Sequence, residues 1–421
     1  MEELLFLAHR IPYPPNKGDK IRSYHILKHL ARSYRVHLGA FVDDPDDWKY
    51  RDKLEEICAS TCLLPLHPLK ARARSLTGLL SNSAMSVSFF RDHNMQQWVN
   101  ARLEQDSLQR IFVFSSPVAQ YVMNSQASSC RRVVDFVDVD SDKWKQYAQH
   151  KRWPASWLYR REAERLLAFE KNVATLFDAS IFVSSAEAAL FRRLVPEVSA
   201  RTGFLDNGVD RDYFSPERNY DNPCDEQAKI IVFTGAMDYW ANVHAVQWFA
   251  LHVLPRVREA VPAAKFVIVG ARPASEVQRL ASVPGVEVTG AVPDVRPYLA
   301  HAYVAVAPLR IARGVQNKVL EAMAMAKAVV ASPAAVEGIE FNNPAELRVA
   351  DSEQQFAEQV IQFLCDDKPA VARDSRQWIS DRYDWNNNLS RVGGLLECPS
   401  PSGYLHGIAG RQAANTEEKS A

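Results

Sequence analysis

Pro308-Leu-Arg-Ile-Ala-Arg-Gly-Val-Gln-Asn-Lys-Val-Leu-Glu-Ala-Met-Ala-Met-Ala-Lys-Ala-Val-Val-Ala-Ser332 is the stretch whose reading decides the fold. An apolar run, 304–308, leads into a polar loop carrying Arg310, Arg313, Gly314 and Lys318. An Ala-, Met- and Leu-rich segment predicts a helix over 316–326, and a second apolar strand follows from Ala328. A strand, a basic glycine-containing loop and a helix start make an arrangement that holds anions. Exposed N–H groups and the positive helix end point at the ligand, and the cations add full charges. Glu321, one turn into the helix, can accept hydrogen bonds from ligand hydroxyls. The outline is that of a nucleoside diphosphate site.

Outward from this loop, short apolar strands alternate with helical patterns along the chain, as in parallel α/β layers. Strands are expected at 4–7, 36–42, 111–115, 133–138 and 180–183, then at 230–234, 265–269, 286–289, 304–307, 328–331 and 347–350. Helical patterns at 20–32, 155–176 and 245–260 separate them. With 421 residues the chain is long for one core, so two Rossmann-like units are expected. The polar segment 217–229, with Pro223 and no apolar periodicity, reads as the linker. The expected organisation is a first domain at 1–216, a linker at 217–229, a second domain at 230–372, a crossing-back helix at 373–400 and a flexible tail at 401–421.

Equal numbers of cationic and anionic side chains, 50 of each, argue against a nucleic-acid binder. Six scattered cysteines (58, 62, 130, 224, 365, 398) without a CxxC pair read as buried thiols in a reducing cytoplasm rather than zinc ligands. The acidic start, Met1-Glu-Glu, does not suit a signal peptide, and no apolar run approaches the length of a membrane span. The expected location is therefore cytoplasmic.

In open α/β sheets ligands sit at the carboxyl ends of strands. After the first strand, His9-Arg-Ile-Pro-Tyr-Pro-Pro-Asn-Lys-Gly-Asp-Lys-Ile-Arg22 offers Lys17, Gly18, Asp19 and Arg22 to an acceptor or sugar. The plain alternative is a βα turn with Asp19 as N-cap. Asp138 stands among four acids in eight residues (135, 138, 140, 142). Metal binding, substrate contact, and capping of the next helix by Ser141 or Asp142 are all open, with capping plus substrate contact by Asp138 preferred. Residues 143–165 mix seven cations with Trp144, Tyr147, Trp153, Trp157 and Tyr159, which suits either a membrane surface or a solvated helix with aromatics turned inward. The stretch 70–80 repeats the hint. Gly235 frees the backbone after the strand at 230–234, and Asp238 or Asn242 can cap the helix beyond it. Neither Gly235 nor Gly270 begins a GxGxxG fingerprint, which disfavours a dehydrogenase.

In order, Val183-Ser-Ser-Ala-Glu187, Asn207-Gly-Val-Asp210, Tyr213-Phe-Ser-Pro216, Phe233-Thr-Gly-Ala-Met237, Val267-Ile-Val-Gly270, Asn317-Lys-Val-Leu-Glu-Ala-Met-Ala324 and Val336-Glu-Gly-Ile339 resemble glycosyltransferase family 4 of the GT-B enzymes. Within it, Pro14-Pro-Asn-Lys-Gly-Asp-Lys-Ile-Arg22 and Asp138-Val-Asp-Ser-Asp-Lys-Trp144 look most like the sugar transferases associated with exosortase A/PEP-CTERM exopolysaccharide loci.

The resemblance implies two Rossmann-like domains facing across a cleft, with a C-terminal helix crossing back to the first domain. It implies a sugar moved from a nucleotide diphosphate to a saccharide or lipid-linked acceptor, with retention and without a required metal or cofactor; peripheral contact with the inner membrane surface is read from the basic and aromatic stretches 143–165 and 70–80 alone. Glu321 matches the second Glu of the family's Glu–seven residues–Glu motif, which holds the ribose, and Lys318 and the amides around Gly314 face the diphosphate, with Asn317 beside them on the donor side. Arg313 stands in place of the first Glu, where it would neutralise the leaving group. Gly235 and Arg310 complete the donor side, and Lys318, Arg313 and Asp138 are the residues expected to serve the chemistry. A non-catalytic nucleotide- or glycan-binding scaffold and a nucleotide-sugar epimerase or hydrolase are the other readings.

Overall fold

A computed structural model describes residues 1–397 apart from 16, 82, 106, 124, 150, 313–314, 340–346 and 366–372. The chain forms two compact units, Met1–Asp206 with Asn386 onward, and Asn207–Trp385.

The first unit holds seven strands: β1 Glu3–Ala8, β2 Arg35–Val42, β3 Ser60–Pro65, β4 Leu108–Phe114, β5 Arg131–Val137, β6 Ala179–Phe182 and β7 Thr202–Phe204. They form one sheet in the order β3-β2-β1-β4-β5-β6-β7, every pairing parallel. The inner strands are near-continuous apolar runs because helices cover both faces: Leu4, Leu5, Phe6, Ile111, Phe112 and Val113 are inaccessible to solvent. β3 and β7 are absent from the strands expected from sequence. Both lie at sheet edges; β7 has three residues, and β3 is only half-buried. A short edge strand leaves little apolar pattern to read.

The second unit holds β8 Lys229–Thr234, β9 Ala264–Val269, β10 Val286–Gly290, β11 Val304–Ala307, β12 Val329–Ala331 and β13 Leu347–Val349. Their order is β10-β9-β8-β11-β12-β13, again with all pairings parallel.

In each sheet the strand order reverses once, between β1 and β4 in the first and between β8 and β11 in the second. Loops at such a reversal diverge and leave a crevice at the carboxyl edge, where ligands of open α/β sheets bind. The described loop residues opening on these crevices are 9–15 and 17 after β1 and 308–312 and 315–316 after β11.

The units divide ten residues before the boundary at 216 expected from sequence. The reason is local pairing. The Val209 amide donates to the Tyr383 carbonyl at 2.7 Å, and Val209 bridges Asp384 in parallel. Gly208 lies so close to Trp385 that a Cβ there would meet the indole at 2.7 Å. Phe214 joins the second core. The expected crossing-back segment likewise divides: helix Arg373–Arg382 belongs to the second unit, and the chain rejoins the first at Asn386. There Tyr34 Oη donates to Glu397 Oε1 at 2.9 Å, and Arg131 Nε to the Leu395 carbonyl at 2.7 Å.

Candidate active site

In the second unit the helix expected over 316–326 spans Asn317–Ala324. It ends where Ala326 turns to a φ of 53°. Its amphipathic pattern sets Val319, Leu320, Ala322 and Met323 in the core and leaves Lys318 and Glu321 at the crevice side, half-buried. Lys318 Nζ donates to Asn242 Oδ1 at 2.6 Å and stands 4.5 Å from the centre of the Phe233 ring. Burial pulls the Lys318 ammonium down to about 8, with Glu321 resisting. Burial likewise pushes Glu321 up to about 7 against the pull of Lys318. A cation and an acid three residues apart are thus held close to neutral pH, at the carboxyl edge of β8 and β11. Incoming negative charge would favour the ammonium.

Gly235 shapes this corner. Its φ is 157°, and a Cβ there would sit 2.8 Å from Asn242 Nδ2 and 3.4 Å from Lys318 Nζ. Behind it, a Cβ on Gly270 would fall 1.7 Å from the Gly235 carbonyl oxygen. Only two glycines allow the ends of β8 and β9 to pass this closely. Asn317 Oδ1 accepts from Asn207 Nδ2 at 3.2 Å, placing Asn317 beside Lys318 at the helix start.

Arg310 lies elsewhere. Its guanidinium stands 5.5 Å from the Trp248 ring centre and lines a cavity of about 200 Å³ with Pro308, Ser332 and Asp351. Among the described residues, none of the other donor residues expected from sequence lines that cavity. Arg313 and Gly314 fall outside the described residues.

Sequence reading missed several members of this corner. Asn242 was expected to cap a helix, yet that helix runs Trp240–Trp248 with Tyr239 as N-cap. Asn242 therefore lies inside the first turn, where its amide grips Lys318 and the Ala236 carbonyl at 2.9 Å. Asp238 pairs with Arg272 at 2.9 Å. Phe233 read only as core. Tyr213 stands in the field of Asp294 and Glu321, with the Arg296 guanidinium 3.8 Å over its ring.

In the first unit, helix Gly18–Leu30 begins one residue before Asp19, so Asp19 is a first-turn residue and Lys17 the N-cap. Asp19 Oδ2 accepts from Arg10 Nη1 at 3.0 Å and lies 3.4 Å from His9 Nε2. Burial opposes the Asp19 charge, but the hydrogen bond and charge of His9 and the charge of Arg10 prevail, holding the carboxyl well below the usual range. Arg10 Nε also meets Asp43 at 3.2 Å. Gly18 is exposed, and a Cβ there would meet no protein atom within 4 Å. The space over it is open to a ligand.

Arg22 corrects the acceptor-facing expectation. It is 1% exposed, with Nε donating to Asp135 Oδ2 at 2.8 Å and Nη1 to the Leu205 carbonyl at 2.7 Å. A side chain committed to a buried carboxylate and a buried carbonyl has no reach to an acceptor. Its neighbour Lys20 is equally buried, against Asp47.

The acidic cluster resolves into pairs. Asp135 is buried, and its Oδ1 accepts from the Val137 amide at 3.0 Å. Lys143 Nζ bridges Asp138 at 2.7 Å and Asp140 at 3.0 Å. The helix begins at Asp140, so Ser141 and Asp142 are inside it and do not cap it. Ser141 instead gives its amide and hydroxyl to the buried Glu170. Asp138 stays at the carboxyl edge, one residue beyond Val137. Val137 has a φ of 69° and Ser115, at the end of neighbouring β4, one of 77°. Positive φ at a β-branched valine is strained, and such strain gathers at functional sites.

Residues 228–366 match the family model of glycosyl transferases, group 1. The match lies within the second unit. With it the protein takes its enzyme class, glycosyltransferase. No curated protein matches the sequence. Among solved structures, the Anabaena protein HepE in complex with UDP and glucose is 16% identical, with a TM-score of 0.64 over 94% of this chain and 100% of that one. Sucrose-phosphate synthase from Thermosynechococcus elongatus is 17% identical, with a TM-score of 0.69 over 93% and 98%. WaaG, a glycosyltransferase involved in lipopolysaccharide biosynthesis, is 17% identical, with a TM-score of 0.62 over 94% and 100%. These likenesses show the GT-B fold. Among the described residues, no helix is long and apolar enough to cross a membrane.

Proposed function

We propose that the protein moves a sugar from a nucleotide-diphosphate donor to a saccharide or lipid-linked acceptor in exopolysaccharide synthesis, with retention and without a metal. The observation that carries this reading is the Lys318–Glu321 pair, set by Asn242 and Gly235 at the carboxyl edge of β8 and β11. In the proposed complex Lys318 neutralises the diphosphate as the sugar bond breaks, and Glu321 accepts the ribose hydroxyls. HepE has been solved with UDP and with UDP-glucose, which makes a uridine donor the first to try. Arg313 keeps its proposed role beside the leaving diphosphate. On the acceptor side, the open space over Gly18, the fixed carboxylate of Asp19, and Lys17 and Asp138 receive the saccharide. The motifs at 14–22 and 138–144 support placing the enzyme with exosortase-associated exopolysaccharide systems.

The test is release of nucleoside diphosphate from a panel of nucleotide-sugars, with and without saccharide and lipid-linked acceptors. Acceptor-dependent release that falls at least about tenfold in Glu321→Ala supports the reading. Donor binding without release under any acceptor would favour the scaffold reading. Release with no acceptor requirement would favour a hydrolase.

A further inference from the structure

Helix Pro68–Leu80 is turned the wrong way round for a helix of a water-soluble surface. Ala71 and Gly78, seven residues apart, face the protein. The opposite stripe holds Leu69 and Leu76, 80% and 59% exposed. An amphipathic helix normally buries its leucines. A second exposed group lies beside it: Trp153 is 81% and Trp157 55% exposed. Arg161 ties the two segments together, donating to the carbonyls of Gly78 at 2.6 Å and Ser81 at 2.9 Å, at the end of the first helix. Trp157 is one turn before Arg161 on helix Ala155–Leu176, so it shares that face.

Cations outnumber acids around these side chains, although Glu164 is exposed two turns after Trp157 and Asp92 pairs with Arg74. Residues 67–91 and 143–161 contain no Asp or Glu, while carrying four and six Lys or Arg. The whole chain is balanced at 50 against 50, so this separation is local. Lys70, Arg72, Lys145, Lys151 and Arg152 are exposed, and none pairs with an acid among the described residues. Elsewhere in the same unit exposed cations do pair, as Arg51 with Glu55, Lys53 with Glu56 and Lys171 with Glu197.

We propose that this face of the first unit docks on an anionic lipid surface. Leucine and tryptophan side chains enter the boundary of the bilayer while unpaired cations meet the lipid phosphates. A protein partner would call for shaped pockets around the aromatic anchors; here leucine and tryptophan side chains are exposed among unpaired cations, which suits a deformable surface. The inference rests on this face alone and does not depend on sugar transfer.

The experiment uses the full chain, without donor or acceptor, and phosphatidylcholine vesicles with and without phosphatidylglycerol. The protein should sediment with the anionic vesicles only, with a blue shift of tryptophan emission and release at high salt. Lys151→Gln with Arg152→Gln should weaken binding about 25-fold, from about fivefold per cation. Leu69→Ser with Leu76→Ser should weaken it independently, while both variants keep the wild-type melting temperature. No binding to anionic vesicles, or equal binding by the variants, would overturn the proposal. So would self-association of the wild type that the same substitutions abolish without any vesicle binding, since the face would then join two copies of the chain.

Discussion

Lys318 should make donor affinity fall as the pH rises. Burial brings its ammonium down to about 8 in the free protein, so it is mostly charged at pH 7 and mostly neutral at pH 9. A bound diphosphate, bearing two or more negative charges near Nζ, raises that value. The free protein then loses the proton before the complex does. Affinity is fully present below pH 8 and declines above it, by about tenfold per pH unit until the complex also titrates. Lys318→Met should remove the slope. It should also weaken binding at pH 7 by about 1.5–3 kcal/mol, the usual contribution of a charge-assisted hydrogen bond, or about 10- to 150-fold. Glu321, at about 7, titrates lower, and Glu321→Gln should leave the alkaline slope in place. The assay is calorimetric titration of UDP from pH 6.5 to 9.5. The reasoning fails if wild type and Lys318→Met lose affinity in parallel above pH 8, or if wild type shows no loss there.

Other substitutions probe separate parts of the structure. Gly18→Ala should keep or slightly raise the melting temperature, since its Cβ meets no protein atom and glycine is costly at a helix start; Gly18→Val should lower kcat/KM for the acceptor in initial-rate assays without unfolding the protein. Gly270→Ala should destabilise the second unit by several kcal/mol in urea titration, because the Cβ would overlap the Gly235 carbonyl and the backbone would have to part. Glu170 is buried and pushed up to about 8. Its folded form holds a proton that the unfolded form releases near pH 4.5, so wild type should lose a few kcal/mol of stability between pH 5 and pH 8. Glu170→Gln should lose less over that range in parallel denaturant titrations.

Much of the fold could be read from the sequence because parallel strands buried on both faces are written as plain apolar runs; Ile230 to Thr234 and Val304 to Ala307 are examples. What escaped were edge strands, where neighbours demand little of the side chains, and helix starts, where Asp19, Ser141 and Asn242 all sat one or more positions inside the helix they were expected to cap. The site divided along the same line. Lys318 and Glu321 were legible because helical spacing sets them together, whereas their holders Asn242 and Phe233 come from 76 and 85 residues earlier in the chain. Arg22 failed in the opposite sense. Basic residues beside a glycine loop look alike in sequence, and only the placement of Asp135, 113 residues away, decides which of them turns inward.

That same arginine bears on how the chain is made. Arg22 finds its carbonyl partner 183 residues later, at Leu205. At synthesis rates of about 5–20 residues per second, this corresponds to about 10–40 s during which its guanidinium waits in water. The first unit then waits again, because its contacts at Leu395 and Glu397 emerge only after the entire second unit. The domain begun first is thus finished last, and the second unit can fold on the ribosome while the first is still open. Truncation near the C-terminus would therefore injure the N-terminal domain, leaving its sheet without the closing helix.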